Sequence, residues 1–299
     1  MRNFIRFIAP SFLLNFYRNY KKAATRKQLL KQEQAGQSLT EEQLIEQLTY
    51  AGIQKNDAVL VHASLSKIGH IKDGPITIIN ALKAVVGETG HILMPTSPNA
   101  GYQLDYVRNL SVFDVNETPS KLGTISEVFR KLPGVVRSES VTEPVACWGP
   151  TAQWFVAGHF QELTPYTPQS PFGRLAAAGG KILYIGVTLA NAGTSLHVLE
   201  DAITDFYETV YFPEIFEVSI KRADGTIALV STKVHDPAQS AKRRCDELLP
   251  LFREKGVYQE VKIGQATTLV FDAKKMLNVM VAAYHEKGVT MYSPHGVNE

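Results

Sequence analysis

Ala58-Val59-Leu60-Val61-His62-Ala63-Ser64-Leu65-Ser66-Lys67-Ile68-Gly69 is a short apolar run that breaks into a polar loop closed by glycine. The segment Ala58 to His62 is branched and almost wholly apolar, which reads as a strand covered on both faces. Beyond the loop, Asp73-Gly74-Pro75 opens a helix over about Pro75 to Val86, with proline in the first turn where its missing N–H costs little. Further buried strands are expected at His91 to Met94 and Lys181 to Gly186. Alternation of strand, helix and strand specifies an α/β fold: a layered mixed sheet, partly parallel, flanked by helices.

Working outward, Thr40 with Gln43 three residues later forms a capping-box pattern. Leu44, Ile45, Leu48 and Ala51 then recur at helical spacing until Gly52. Later, Phe216 to Ile220 and Thr226 to Val230 flank Arg222-Ala223-Asp224-Gly225, whose Asp-Gly pair signals an antiparallel hairpin. That hairpin is expected to attach to the main sheet. Helices are expected at about Ala238 to Glu254 and Ala273 to His285. With no repeat and no long linker, the expected organisation is an N-terminal arm over 1–37, one main domain over 38–289, and a tail over 290–299.

A chain of 299 residues with 44% hydrophobic and 20% charged residues can bury a full core and is far from a disordered composition. No apolar run approaches the ~20 residues that cross a bilayer. Two cysteines, Cys147 and Cys245, are too few for a disulfide framework, and a cytoplasmic protein is expected. The 31 basic and 29 acidic residues are unevenly placed. Arg2, Arg6, Arg18, Lys21, Lys22, Arg26, Lys27 and Lys31 lie in residues 1–31 without any acidic residue, leaving the remainder at −6. Interleaved with Phe4, Phe7, Phe12, Phe16 and Tyr17, this arm suits an anionic membrane surface or a partner. The plainer alternative is a solvated helix capping the domain edge. No secretory signal is read, because Arg6 interrupts the apolar region and no cleavage site follows.

Three segments carry candidate chemistry. The loop His62-Ala63-Ser64-Leu65-Ser66-Lys67-Ile68-Gly69, followed by Gly74 and a helix, presents backbone N–H groups to an anion; alternatively it is an ordinary βα turn. In Gly193-Thr194-Ser195-Leu196-His197-Val198-Leu199-Glu200-Asp201, the apolar stripe Leu196, Leu199, Ile203, Phe206 specifies a helix that leaves His197, Glu200 and Asp201 near one another. Histidine suits proton transfer near neutral pH, and a carboxylate could orient it, although a lone helical histidine is often structural. In His235-Asp236-Pro237, Asp236 could reach His197 from another element, or serve only as turn chemistry. There is no His-Glu-x-x-His arrangement, the cysteines are isolated, and no Gly-x-Ser-x-Gly elbow exists, so neither a metal nor a serine nucleophile is expected. Cys147 reads as a buried small residue.

Taken together, the chain resembles the aminoglycoside 3-N-acetyltransferase family, antibiotic N-acetyltransferases unrelated in fold to the GNAT enzymes. The resemblance rests on Val61-His62-Ala63-Ser64-Leu65 with Gly69 and Gly74, on Val86-Gly87-Glu88-Thr89-Gly90-His91, and on Met94-Pro95-Thr96. It continues through Gly123-Thr124-Ile125-Ser126-Glu127, Arg137-Ser138, Ser170-Pro171-Phe172-Gly173-Arg174, Thr194-Ser195-Leu196-His197 with Glu200, and Phe271-Asp272-Ala273.

The resemblance implies transfer of acetyl from acetyl-CoA, as co-substrate, to an amine of an aminoglycoside or related amino sugar, with no nucleic-acid partner. It implies that His197 is the general base, with Glu200 behind it and Asp236 a further candidate to hold the imidazole. Ser64, Ser66, Gly69 and Gly74 fall in the segment similar to the family's CoA-binding loop. Thr96, Thr194 and Ser195 are expected near the pantetheine end or thioester. One departure bears on the acceptor: after Arg137-Ser138, antibiotic-modifying members tend to continue with His-Pro and a further His, whereas this chain reads Glu139-Ser140-Val141-Thr142-Glu143-Pro144. Moreover, a +8 arm does not help to gather a polycationic antibiotic. An acyltransferase of surface-glycan assembly, acting on a nucleotide- or lipid-linked amino sugar, is therefore a second expectation. A noncatalytic membrane-associated scaffold is the rival of a different class.

Overall fold

The computed structural model describes residues 11–297. Arg2, Phe4, Arg6 and Phe7 of the basic arm lie outside the described residues, and the side chains of Phe12 and Arg18 are likewise not described. The described strands are β1 (Ala58–Ala63), β2 (His91–Pro95), β3 (Phe113–Asp114), β4 (Val135–Arg137), β5 (Val145–Trp148), β6 (Lys181–Ile185), β7 (Phe216–Lys221), β8 (Ile227–Thr232), β9 (Tyr258–Ile263) and β10 (Ala266–Asp272). Seven of them form the main sheet in the order β4-β5-β2-β1-β6-β10-β9. At its centre β1 runs parallel to β2 and to β6, while the flanking pairs are antiparallel.

The parallel centre follows from the helix Pro75–Val86, which returns the chain so that β2 starts beside the start of β1, with Ala58 opposite His91. Alternating side chains divide the sheet between two cores. Val59, Val61, Ile92, Met94, Leu183 and Ile185 meet the helices Glu41–Tyr50 and Pro75–Val86 on one face. Leu60, Leu93, Ile182 and Tyr184 meet the helices Pro171–Ala177 and Ala273–Lys287 on the other. Leu60 is fully buried, so cutting it to alanine should cost about 2–5 kcal/mol. The capping box at Thr40 is formed reciprocally with Gln43, starting the first of these helices.

Several expectations need correction. The hairpin β7–β8 is not part of the main sheet; it joins β3 in a separate three-stranded sheet. Its pattern explains why: Phe216, Val218 and Ile220 bury one face against Leu104, Val107 and Phe113, whereas Ile227 and Leu229 remain exposed. A sheet with one wet face packs by its other face, and here that face has its own core. Arg137 ties this unit to the main sheet, donating to the Thr96 hydroxyl and carbonyl and to the carbonyls of Val115 and Thr118.

The helix expected at Ala238 to Glu254 is broken into a turn at Pro237–Ser240, a 3-10 segment at Cys245–Leu248 and a helix at Leu249–Glu254. Pro250 lacks the N–H that would continue a helix from the preceding turn, so the α-helix restarts there. The helix expected across Leu196 to Phe206 is a 3-10 turn, Thr194–His197, followed by Val198–Ala202, and the branched Ile203 ends it in extended backbone. The expected tail is built into the body: Thr290, Met291 and Tyr292 are buried, and Arg244 N–H donates to the Met291 carbonyl at 2.8 Å. Among the described residues, no helix is long and apolar enough to cross a membrane.

Candidate active site

Three elements far apart in sequence converge beyond the carboxyl ends of the parallel strands, where open α/β sheets place their ligand sites. The 3-10 turn after β6 supplies His197, and the next turn supplies Glu200. The segment after β8 supplies His235, held by an isolated antiparallel bridge to Tyr211. The C-terminal segment supplies Tyr292.

Glu200 is the hub. Its Oε1 lies 2.9 Å from His197 Nδ1 and its Oε2 lies 2.7 Å from His235 Nε2. Tyr292 Oη–H also donates to Oε1 at 2.7 Å. Burial alone would raise the Glu200 carboxyl, but the two imidazoles and their hydrogen bonds hold it below the usual carboxylate range. Burial lowers the His197 imidazole below its ordinary value, despite the carboxylate beside it. A carboxylate only accepts, so the facing protons sit on His197 Nδ1 and His235 Nε2, which leaves the His197 Nε2 lone pair free. Tyr166 stacks on His197 with ring centroids 4.7 Å apart, and Tyr211 stacks on His235 at 4.8 Å. These rings fix both imidazoles against rotation and exclude water from the carboxylate.

His197, Glu200 and His235 also bring potential ligand atoms within 4.8 Å of one another. In this arrangement both carboxylate oxygens accept imidazole protons, which is the geometry of a proton-handling network.

Two joined cavities open onto this cluster. One, of about 280 Å³, lies at the ends of β1 and β2 and is lined by His62, Met94, Ser97, Asn191 and Thr194 among others. The second, of about 590 Å³, is lined by Gln103, Glu143, Tyr166, His197, His235 and Arg243 among others. Glu143, Asn99, Asn191 and Thr194 line both. Together they are of the size that holds a small ligand. His62 stacks in parallel on Tyr184, and its Nε2 lies 3.3 Å from Thr194 Oγ1. Burial pushes its pKa down to about 3, so it is neutral.

Of the residues expected from sequence, the structure brings His197, Glu200 and Thr194 to this cleft. Asp236 is not with them: its carboxylate accepts from Ala238 N–H at 2.7 Å and caps the turn Pro237–Ser240. His235, its neighbour on the opposite side of an extended chain, takes the place at Glu200. Thr96 is fully buried, with its hydroxyl donating to the Pro144 carbonyl and accepting from Arg137. Ser97, one residue on, faces the cavity instead. Ser195 is buried beside His197 and lines neither cavity.

Ser64, Ser66, Gly69 and Gly74 also line neither cavity; Ala63, just before them, does. Their loop is pinned by Gln32, whose side-chain oxygen accepts from His70 N–H, and by Gln265 N–H donating to the Ile68 carbonyl. Gly69 has φ +108°, a conformation that favours glycine.

Sequence reasoning missed Glu143, Gln103, Tyr166, Arg243 and Tyr292. Glu143 accepts from the Ser97 hydroxyl and, at 2.8 Å, from Gln103 Nε2. The Gln103 oxygen in turn accepts from His235 N–H at 3.1 Å. Burial raises the Glu143 carboxyl, against the hydrogen bonds that lower it. The one visible signal for Glu143 was the departure at Glu139 to Pro144. Tyr292 had none, because a tyrosine near a terminus carries no pattern.

A family model described as aminoglycoside 3-N-acetyltransferase matches residues 60–285. The chain is 31% identical over 175 residues to aminoglycoside N(3)-acetyltransferase VII of Streptomyces paromomycinus, which covers 54% of this chain and 60% of that protein. It spans about three fifths of the length of the first curated relatives it matches. Among solved structures, it is similar to AAC-IIIb in a binary complex with CoASH, at 27% identity and a TM-score of 0.71, covering 83% of this chain and 97% of that one. It is also similar to AAC-VIa bound to sisomicin, at 26% identity and a TM-score of 0.69, covering 83% and 98%. With more than half of its length inside the family model, the chain belongs to the aminoglycoside 3-N-acetyltransferase family.

Proposed function

We propose that this protein transfers acetyl from acetyl-CoA directly to an amine of an amino sugar, with His197 as the general base. The observation that carries this reading is the buried Glu200 carboxylate, which accepts from both imidazoles and leaves His197 Nε2 free at the cleft. A thioester is already activated, so the protein must align the two substrates and move one proton. The smaller cavity, at the strand ends, would hold the pantetheine end, with His62, Ser97 and Thr194 around it. The amine would enter the larger cavity beside His197.

His197 Nε2 takes the proton from the amine as its nitrogen forms a bond to the thioester carbonyl carbon. Glu200 steadies the imidazolium, and His235 and Tyr292 hold the carboxylate in place. The C–S bond then breaks, and the imidazolium proton passes to the CoA thiolate. Such a base contributes about 10²- to 10⁴-fold to rate. The CoASH complex of one similar protein and the sisomicin complex of another support these two ligand classes.

The exposed aromatics Phe16, Tyr17 and Tyr20 on the helix Ser11–Gln34, among lysines and arginines, support a further reading. In it the arm rests on an anionic membrane surface and the cleft faces the cytoplasm. A scaffold without catalysis is disfavoured, because burying a carboxylate with two imidazoles and a phenol is a costly way to build a core. The test is release of CoA thiol from acetyl-CoA across a panel of aminoglycosides and amino sugars, free and nucleotide-linked. Thiol release with at least one amine is expected; none with any amine would remove the reading.

A further inference from the structure

Arg243 stands out among the charged groups of the cleft because, among the described residues, no carboxylate pairs with it directly, although Glu143 and Glu200 act on it through space. Arg243 lines the larger cavity together with Glu143, His197 and His235. Its Nη2 is buried and has no hydrogen-bond partner among the described residues. Its Nε lies 3.5 Å from Tyr292 Oη, and the guanidinium lies 6.0 Å from the centre of that ring. A buried donor without a partner calls for an explanation, because leaving it unmade costs a substantial desolvation penalty.

The two acids nearest the site do not supply that partner. Glu200 is committed to His197, His235 and Tyr292. Glu143 accepts from Ser97 and Gln103, and its burial favours the neutral acid. The cleft therefore holds a cation with an unbonded donor beside a carboxylate already committed to three others. Around it, Gln103 and Asn191 supply neutral amides. Such a set receives an oxyanion, and a planar guanidinium matches phosphate or carboxylate geometry better than any other side chain. It is a poor match for a polycation.

We propose that the acceptor is an amino sugar carrying an anionic group, a phosphate or a carboxylate, that binds Arg243 while its amine reaches His197. This rests on the acetyl-transfer reading above and narrows its acceptor. Glu143 lies on the same wall of the cavity and bonds through Gln103 to the segment that carries His235.

The experiment measures binding of glucosamine, glucosamine 1-phosphate and glucosaminuronic acid to the CoA-saturated protein by calorimetry, in the wild type and in Arg243→Lys and Arg243→Gln. The same variants are titrated with CoA alone, and their folding is checked by circular dichroism. Loss of a charge-assisted pair predicts that glucosamine 1-phosphate binds Arg243→Gln ~10- to 100-fold more weakly than wild type. Arg243→Lys should recover part of that loss, and glucosamine should bind the wild type more weakly than its phosphate. Glucosaminuronic acid, which keeps the amine, separates a carboxylate from a phosphate preference. An equal loss of CoA affinity in Arg243→Gln would assign the guanidinium to the CoA phosphates and overturn the proposal. So would failure of both anionic probes to bind the wild type, or binding indifferent to Arg243. Thiol release is scored separately, so its absence with every amine removes the acetyl-transfer reading while the binding data still judge the anion site.

Discussion

At the scale of single residues, the site is a chain of proton positions hung on Glu200, and its predictions concern what each donor does. His197→Ala should lower kcat by about 10²- to 10⁴-fold while calorimetric CoA affinity stays near the wild-type value. Retention of most activity at neutral pH would place the base elsewhere. In the proposed reaction His235 acts through Glu200, as a positioning residue. Replacing it by phenylalanine removes the proton donated to Oε2 at 2.7 Å and leaves the carboxylate less stabilised. A less stabilised carboxylate is a stronger partner for the His197 imidazolium, so the acid limb of the kcat profile should move to higher pH. A purely structural role for His235 would lower activity without moving that limb.

The elements explain why neighbouring residues have different roles. Asp236 caps the turn Pro237–Ser240, and asparagine caps almost as well. Asp236→Asn should therefore keep kcat within a few-fold of wild type, whereas Asp236→Ala should cost about 1 kcal/mol in a denaturant titration.

The helix Ser11–Gln34 presents a different problem. From Phe16 to Lys31 its described side chains are exposed or half-buried, with Phe16 72% and Tyr20 65% exposed, which favours a surface-facing arm over an edge cap. Gln32 and Glu33 both meet the body at His70. Full-length protein should cosediment with anionic lipid vesicles at low salt and less at high salt, since each Lys or Arg near such a surface contributes about 1 kcal/mol that salt screens. Deleting residues 1–31 should abolish cosedimentation and leave turnover of a soluble acceptor largely unchanged. Aggregation of the truncated protein, with no lipid binding by the full chain, would favour the cap.

Across the whole molecule, buried histidines set the acid limit of stability. Burial pushes His62 down to about 3 and His159 to about 4, although the Pro165 carbonyl bonded to His159 works the other way. The unfolded chain takes up a proton at each near pH 6.5, and the folded chain does not. Stability from these groups is therefore fully present above about pH 6.5 and is lost as pH falls toward the folded values, by about 1.4 kcal/mol per pH unit for each histidine. Glu143, raised by burial, works in the opposite sense above about pH 4.3 and offsets part of this slope. Calorimetric Tm should fall steadily from pH 6.5 to 4.5, and His159→Gln should flatten that dependence whatever its Tm at neutral pH. An unchanged slope would mean that His159 is charged in the fold.

The sequence by itself determined the α/β class, the central strands and the helix Pro75–Val86, because unbroken branched runs and a proline-started apolar stripe are local statements. It also determined the pair His197 and Glu200, since residues three apart share a side in any tight helical turn. Only the tertiary structure decided between His235 and Asp236, because the bridge of Tyr211 to His235 sets which adjacent side chain faces Glu200. It likewise turned Thr96 into a brace for Arg137 and brought Tyr292, 92 residues beyond Glu200, onto its carboxylate. The separate sheet β3-β7-β8 was invisible for the same reason: a hairpin is coded by its turn, but the sheet that it joins depends on which of its faces finds a core.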